Sequence, residues 1–225
     1  MGDIMDESKV VEEIEEETLG YSYYIPKRIV DIIGGIVGCI LLIPITIFIK
    51  IAYMLTGDFN SIFYSQVRIG KNGKLIKIYK YRSMIVNADK VLENLLKTDK
   101  EIAREYKRYK KLENDPRITK VGKFIRKTSL DEFPQFINVL KGEMSLVGPR
   151  PYLPREKEDM GEYYNTIIKC KPGITGYWQV NGRSGTDFVK RLVLDEYYYQ
   201  VRCLVMDTKI LLKTFTKVFN KEGAK

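Results

Sequence analysis

IIGGIVGCILLIPITIFI, residues 32–49, runs for 18 positions without a charged side chain. A straight helix of that length extends about 27 Å, just short of the roughly 30 Å hydrocarbon core of a bilayer. The run follows an acidic segment, and no small-residue cleavage site comes after it, so it does not read as a secretory signal. A buried helix of a soluble core is the alternative. The flanks favour the membrane: Tyr21, Tyr23 and Tyr24 precede the run, and Lys27, Arg28 and Lys50 bracket it, as residues do at a membrane interface. Pro44 lies deep in the segment, where it removes a backbone donor and crowds the preceding turn. Two paths stay open. The helix crosses with a kink, leaving the acidic side outside and the basic side inside. Or it turns near Pro44 and returns to the same face, which requires partners for the freed backbone groups.

Outward from this segment the charge is uneven. The 225 residues carry 38 Lys+Arg and 29 Asp+Glu, a net of +9. Residues 1–28 hold eight acids and three bases, a net of −5, and the remainder carries +14. Three regions follow: an acidic mobile tail over 1–26, the membrane helix over 27–55 and one globular region over 56–225. No chemistry is assigned to the tail. The basic body points to an anionic partner: phosphorylated substrate, anionic lipid or nucleic acid. The chain has no histidine, which excludes Ser-His-Asp and Cys-His catalysis and His-ligated metals. Cys39, Cys170 and Cys203 are too scattered for a disulfide framework or zinc cluster, and a reducing compartment is the default.

In the globular region, residues 63–69 and 74–84 flank Gly70-Lys71-Asn72-Gly73 and read as a hairpin. Residues 87–113 have helical spacing, ended by Asp115-Pro116. A second helix is expected from near Asp131 to about Lys141, stopped by Gly142. Proline-rich turns follow at 148–154 and 172–176. Near the C-terminus, Leu204, Leu211, Phe215 and Val218/Phe219 share one helical face, and Lys209, Lys213, Lys217 and Lys221 form a row on another. This pattern suits an amphipathic helix on an anionic membrane surface and equally an ordinary surface helix.

Chemistry concentrates in RKTSLDEFPQ, residues 126–135. Ser129-x-x-Glu132 has the form of a capping box, but Pro134 disputes that register. Starting the helix at Asp131 places the proline where no donor is needed. Both acids then lie at the positive end of a helix beside Arg126 and Lys127, which favours ionised carboxylates. An ionised Asp131 is a candidate nucleophile and Glu132 a candidate Mg²⁺ ligand, although an acidic pair at a helix start is commonly a cap alone. Gly148-Pro149-Arg150-Pro151 pre-orders a guanidinium suited to phosphate. Lys80 and Arg82 in YKYRSM share a strand face. Together these residues describe an anion site beside two carboxylates.

The order of KYRSM (80–84), DPRITKVGKFIRKTSLDEFPQFINVLKGEMSLVGPRP (115–151), KPGITGYWQVNGR (171–183), LDEYYYQ (194–200) and MDTKILLKT (206–214) resembles the bacterial sugar transferase family. These are the monotopic polyprenyl-phosphate phosphoglycosyl transferases. The resemblance runs from Lys27 to Thr214 and corresponds to the minimal catalytic module. It implies an α+β, predominantly helical fold with an N-terminal re-entrant membrane helix, amphipathic interfacial helices and a small β-hairpin. It implies transfer of a sugar-1-phosphate from a UDP-sugar to undecaprenyl phosphate, with release of UMP, at the cytoplasmic face of the cell membrane. Asp131 would form a phosphosugar-aspartyl intermediate and Glu132 would bind Mg²⁺. Lys80, Arg82, Arg126 and Arg150 would hold phosphate groups, and Asp195, at the acidic position of the C-terminal motif, would join them in binding substrate. The membrane helix would break at Pro44; many members carry Ser before that proline, where this chain has Ile43. Anionic lipid is a further implied partner, and the reading leaves room for a homo-oligomer and downstream glycosyltransferases.

The mechanism is physically coherent. A carboxylate attacking a pyrophosphate is anion on anion and needs Mg²⁺ and Arg/Lys to offset the charge. The competing reading is a membrane-anchored basic binding module or scaffold, supported by Arg104, Lys107, Arg108, Lys110 and Lys111. That run has the look of one solvated helix, and the lone Trp178 with the tyrosines matches no RNA-binding pattern, so no nucleic-acid partner is expected.

Overall fold

The computed structural model describes residues 19–182 and 186–220. Helix α1 spans Tyr21–Leu55, 35 residues, or about 52 Å. It therefore begins inside the segment read as the acidic tail; residues 1–18 of that tail lie outside the described residues. One face is buried at helical intervals by Tyr23, Asp31, Gly35, Gly38, Ile49 and Tyr53. The opposite face exposes Ile33, Ile36, Ile40, Ile43, Ile47, Ile51 and Leu55. By length and composition α1 is apolar enough to cross a membrane.

The helical backbone continues through Pro44, where the resemblance implied a break. Nearby polar atoms find partners within the protein. The Thr46 hydroxyl donates to the Leu42 carbonyl at 2.6 Å and lies 2.5 Å from the Tyr81 hydroxyl.

The hairpin forms as expected. Strands β1 (Phe63–Ile69) and β2 (Leu75–Tyr81) pair antiparallel, with Ile69 opposite Leu75 and Phe63 opposite Tyr81. The turn uses Asn72 and Gly73 at positive φ, a conformation both residue types tolerate. The helical segment after it is divided into α2 (Ala88–Thr98) and α3 (Lys100–Tyr109). Asp99 separates them: its carboxylate accepts the N–H groups of Glu101 and Ile102, an N-cap in mid-segment.

Helix α4 (Lys120–Lys127) is capped by Thr119, whose Oγ1 accepts from Gly122 N at 2.8 Å. A single 3-10 turn, Leu130–Glu132, leads to α5 (Gln135–Leu140). Two three-residue strands, β3 (Ser145–Val147) and, later, β4 (Gly173–Thr175), pair in parallel. Between them lie α6 (Lys157–Met160) and α7 (Tyr163–Ile167). Helices α8 (Tyr177–Asn181), α9 (Phe188–Val201) and α10 (Leu204–Asn220) complete a mainly helical α+β fold.

On α10 the most buried residues are Asp207 and Ile210; of the expected apolar face, Leu204 and Leu211 are partly buried and Phe215 is exposed. Buried Asp207 moves the inward stripe because it receives Lys27 and the Tyr23 and Tyr198 hydroxyls. Lys213 and Lys217 reach Asn181 Oδ1 and the Gln179 carbonyl. Lys221 and the side chains of Val218 and Phe219 lie outside the described residues.

The core that carries the site packs Ile49 and Tyr53 of α1 with Ile62, Tyr81, Val121 and Ile125. Further toward the N-terminus of α1, glycines let the domain approach the helix backbone. A Cβ on Gly38 would stand 2.2 Å from the Phe136 ring, and one on Gly35 would stand 2.6 Å from Leu140. Helix α5 therefore lies directly against α1.

Candidate active site

The two acids sit between α4 and α5, in the 3-10 turn rather than on a helix N-terminus. Ser129, two residues past α4, sits at φ 56 and makes no side-chain cap, so the capping box that Pro134 disputed is not formed. Pro134 precedes Gln135, the first residue of α5. The chain reverses at a left-handed serine, a conformation that costs about 1 kcal/mol or more outside glycine. Asp131 and Glu132 are both partly exposed.

Strand β2 supplies the first cation. Lys80 Nζ lies 2.8 Å from Glu132 Oε1. Burial works against the Glu132 charge, but Lys80, and beyond it Arg150 and Arg68, outweigh burial and hold the carboxyl below its usual range. Asp131 moves the other way. Burial and the adjacent Glu132 carboxylate push it up to about 6, against the pull of Lys80 and Arg126. The sequence reading expected two ordinary ionised acids. The structure separates them into one firmly ionised carboxylate and one that titrates close to neutrality.

Arg126 and Arg150 carry the guanidinium groups open to a ligand. Arg126 is held by one bond, Nε to Ser83 Oγ at 2.9 Å. Among the described residues its Nη groups make no hydrogen bond. The Arg150 guanidinium likewise makes none; it stands 5.8 Å from the Trp178 ring centre. Its backbone is fixed instead, with N–H donating to Asp195 Oδ2 at 3.1 Å.

The other two expected residues are placed differently. Arg82 is spent on the fold: Nε donates to the Ser61 carbonyl at 2.7 Å, Nη2 pairs with Asp58 at 2.9 Å, and the guanidinium covers the Tyr53 ring. Asp195 is 0% exposed. It accepts the Tyr152 hydroxyl at 2.7 Å as well as Arg150 N–H. Burial pushes its carboxyl to about 7, opposed by the Tyr152 and Arg150 hydrogen bonds and by the Arg150 and Arg191 charges. It shapes the turn carrying Arg150 from behind.

Sequence reasoning missed Arg68. It is 7% exposed, and its Nη1 donates to the Pro151 carbonyl at 2.9 Å. Burial and the nearby Arg150 charge lower its pKa to about 10. The available signal was an arginine opposite buried Ile76 in the hairpin register. Arg191 was also missed. It lies 5.2 Å from the Trp178 ring centre, so Trp178 is flanked by two guanidinium groups.

The donor set fits a hard divalent cation. Mg²⁺ is commonly held by one or two carboxylates together with substrate phosphates and water. Asp131 and Glu132 supply adjacent carboxylates, and among the described residues Glu132 Oε2 makes no hydrogen bond. The described residues hold no cluster of three acidic or sulfur ligands, so phosphate oxygens would complete the shell. The site combines two carboxylates of unlike basicity, a paired lysine and two arginines with open faces, which suits phosphoryl transfer better than passive binding.

Comparison with known proteins agrees with this chemistry. The chain is 46% identical over 198 residues to an "Uncharacterized sugar transferase" of Haemophilus influenzae. It is 45% identical over 198 residues to the "Undecaprenyl-phosphate galactose phosphotransferase" of Salmonella typhimurium. Each alignment covers 88% of this chain but 42% and 41% of the relative, so the chain spans about two fifths of their length. An "Exopolysaccharide production protein ExoY" of Sinorhizobium fredii is 38% identical, covering 89% of this chain and 88% of the relative. The family model described as bacterial sugar transferase matches residues 22–221, and the chain belongs to that family.

Proposed function

We propose that the protein transfers a sugar-1-phosphate from a UDP-sugar to undecaprenyl phosphate, as an early membrane step in making a polysaccharide or glycoconjugate. The observation that carries this reading is the adjacent pair Asp131 and Glu132, with Lys80 bound to Glu132 at 2.8 Å, beside two arginines with open faces. The Asp131 carboxylate attacks the sugar-bearing phosphorus, and the bond from that phosphorus to the bridging oxygen breaks. UMP leaves with that oxygen and its electron pair. An oxygen of undecaprenyl phosphate then attacks the same phosphorus, frees the carboxylate and completes the lipid diphosphate sugar. Dividing the reaction lets a soluble donor and a lipid acceptor use one site in turn. Arg126 and Arg150 orient the phosphates, and Lys80 keeps Glu132 ionised. Mg²⁺, held by Glu132 with substrate phosphate oxygens and water, would supply Lewis-acid neutralisation of the pyrophosphate.

The exposed apolar face of α1 supports membrane association. Both ends of α1 hold the same domain, through Lys27 to Asp207 and Tyr53 to the Arg82 carbonyl. That supports both ends of α1 lying on the domain's side, with no break in the helix at Pro44. The +14 body suits the anionic cytoplasmic leaflet. Relatives named for galactose and glucose transfer make UDP-galactose and UDP-glucose the first donors to test.

The experiment measures UMP release by purified protein with each donor, undecaprenyl phosphate and Mg²⁺. Omitting the donor or Mg²⁺ abolishes the signal. Without acceptor, release is limited to one equivalent per enzyme, and label on the sugar phosphate stays on the protein. Asp131→Asn lowers turnover by on the order of 10³-fold or more. Full turnover in that variant means that Asp131 is not the nucleophile.

A further inference from the structure

Three charged residues near the start of α1 spend their polar atoms on one short stretch of the domain. Arg28 Nη1 donates to the Val139 carbonyl at 2.7 Å and Nη2 to the Leu140 carbonyl at 2.8 Å. These are the last two carbonyls of α5. Asp31, 4% exposed, accepts Ser145 Oγ at 3.0 Å and Leu146 N–H at 2.8 Å. Lys27 Nζ donates to the Val147 carbonyl at 2.9 Å and pairs with Asp207 at 2.6 Å. The glycine face of α1 meets the same region, Gly35 against Leu140 and Gly34 against Leu146.

The gripped stretch joins the two halves of the active site. Upstream, α5 begins three residues after Glu132. Downstream, Gly148 follows Val147 and opens the turn that carries Arg150. Any slack between residues 139 and 147 changes the distance between the acidic pair and the Arg150 guanidinium.

A cation that only anchors a helix to a membrane surface keeps its charge among the headgroups. Arg28 instead uses its planar fork to cap two carbonyls at a helix C-terminus, a task a point charge performs poorly. Asp31 is harder still to explain as an anchor. An acid at the edge of an apolar membrane segment is costly unless its oxygens find donors, and anchoring by positive charge gains nothing from it. We propose that Arg28 and Asp31, with Lys27, are positioning residues: they clamp residues 139–147 to α1, so that the seating of the membrane helix sets the separation of the acidic pair from Arg150. The link to turnover rests on the transferase reading above.

The test uses the full chain in phospholipid nanodiscs. Arg28→Lys keeps the charge and loses the fork. Asp31→Leu removes both accepted bonds and makes α1 more apolar; Asp31→Asn keeps an acceptor oxygen. Membrane retention, hydrogen exchange over residues 133–151 and the kinetic constants are measured for each. Arg28→Lys and Asp31→Leu are expected to stay in the membrane and exchange faster over 139–147. Their kcat falls about tenfold, with KM for the UDP-sugar changed less, and Asp31→Asn recovers most of both losses. Unchanged exchange overturns the clamp whatever the activity. Faster exchange with kcat within twofold of wild type overturns its positioning role. If wild type releases no UMP, the transferase reading fails, and exchange alone judges the clamp.

Discussion

Asp131 and Glu132 are neighbours in sequence with opposite electrostatics. The difference comes from where Lys80 points: its ammonium bonds Glu132 directly and reaches Asp131 only through space. A carboxyl held at about 6 is about nine-tenths ionised at pH 7. A raised carboxyl pKa means that the reactive form is lost as pH falls through 6. In the metal-free protein the Asp131 carboxyl carbon, followed by NMR, is therefore expected to titrate near pH 6. Lys80→Met removes a charge that stabilises the carboxylate, so its midpoint moves to higher pH. A midpoint near 4 in wild type would contradict this assignment. At this scale the sequence revealed residue types and their neighbours but not their commitments. Arg82 reads like a phosphate ligand until Asp58 and Ser61, more than 20 positions upstream, occupy it. Asp195 reads like a substrate contact until the fold buries it behind Arg150.

Among the elements, regular ones were legible and short ones were not. The hairpin announced itself through alternation and a Gly-Lys-Asn-Gly turn. The apolar length of α1 left no doubt that a long helix was present. The division at Asp99 was hidden because cap and helix interior share one charged, leucine-rich composition. The β3–β4 pair was invisible because three-residue strands carry no period. The contact between α1 and α5 was unreadable for a different reason: the glycines at 34, 35 and 38 have meaning only once Leu146, Leu140 and Phe136 are placed against them. That contact can be tested. Gly38→Ala puts a methyl group into the Phe136 ring, and overpacking of this kind costs about 1–3 kcal/mol. A lower melting temperature in nanodiscs is the expected result. A melting temperature equal to wild type would mean that α5 stands farther from α1.

At the scale of the whole molecule, an apolar face lies along one side of α1, and the turn carrying Asp131 and Glu132 lies on the domain gripped by the other. If both ends of α1 lie on one side, its first turn and the residues after it share a compartment. Single cysteines at Ser22 and Lys71, in a variant with the three native cysteines replaced by serine, are both expected to resist an impermeant reagent in intact cells. Both should react in inverted vesicles. Opposite accessibility would make α1 a spanning helix.

The partners of α1 also have an order in time. Asp31 bonds residues 114 and 115 positions downstream, and Lys27 bonds one 180 positions downstream. At a synthesis rate of about 5–20 residues per second, Asp31 waits roughly 6–23 s for its donors. Until then its carboxylate has no partner in the domain, so the final seating of α1 follows the synthesis of residues 145 and 146.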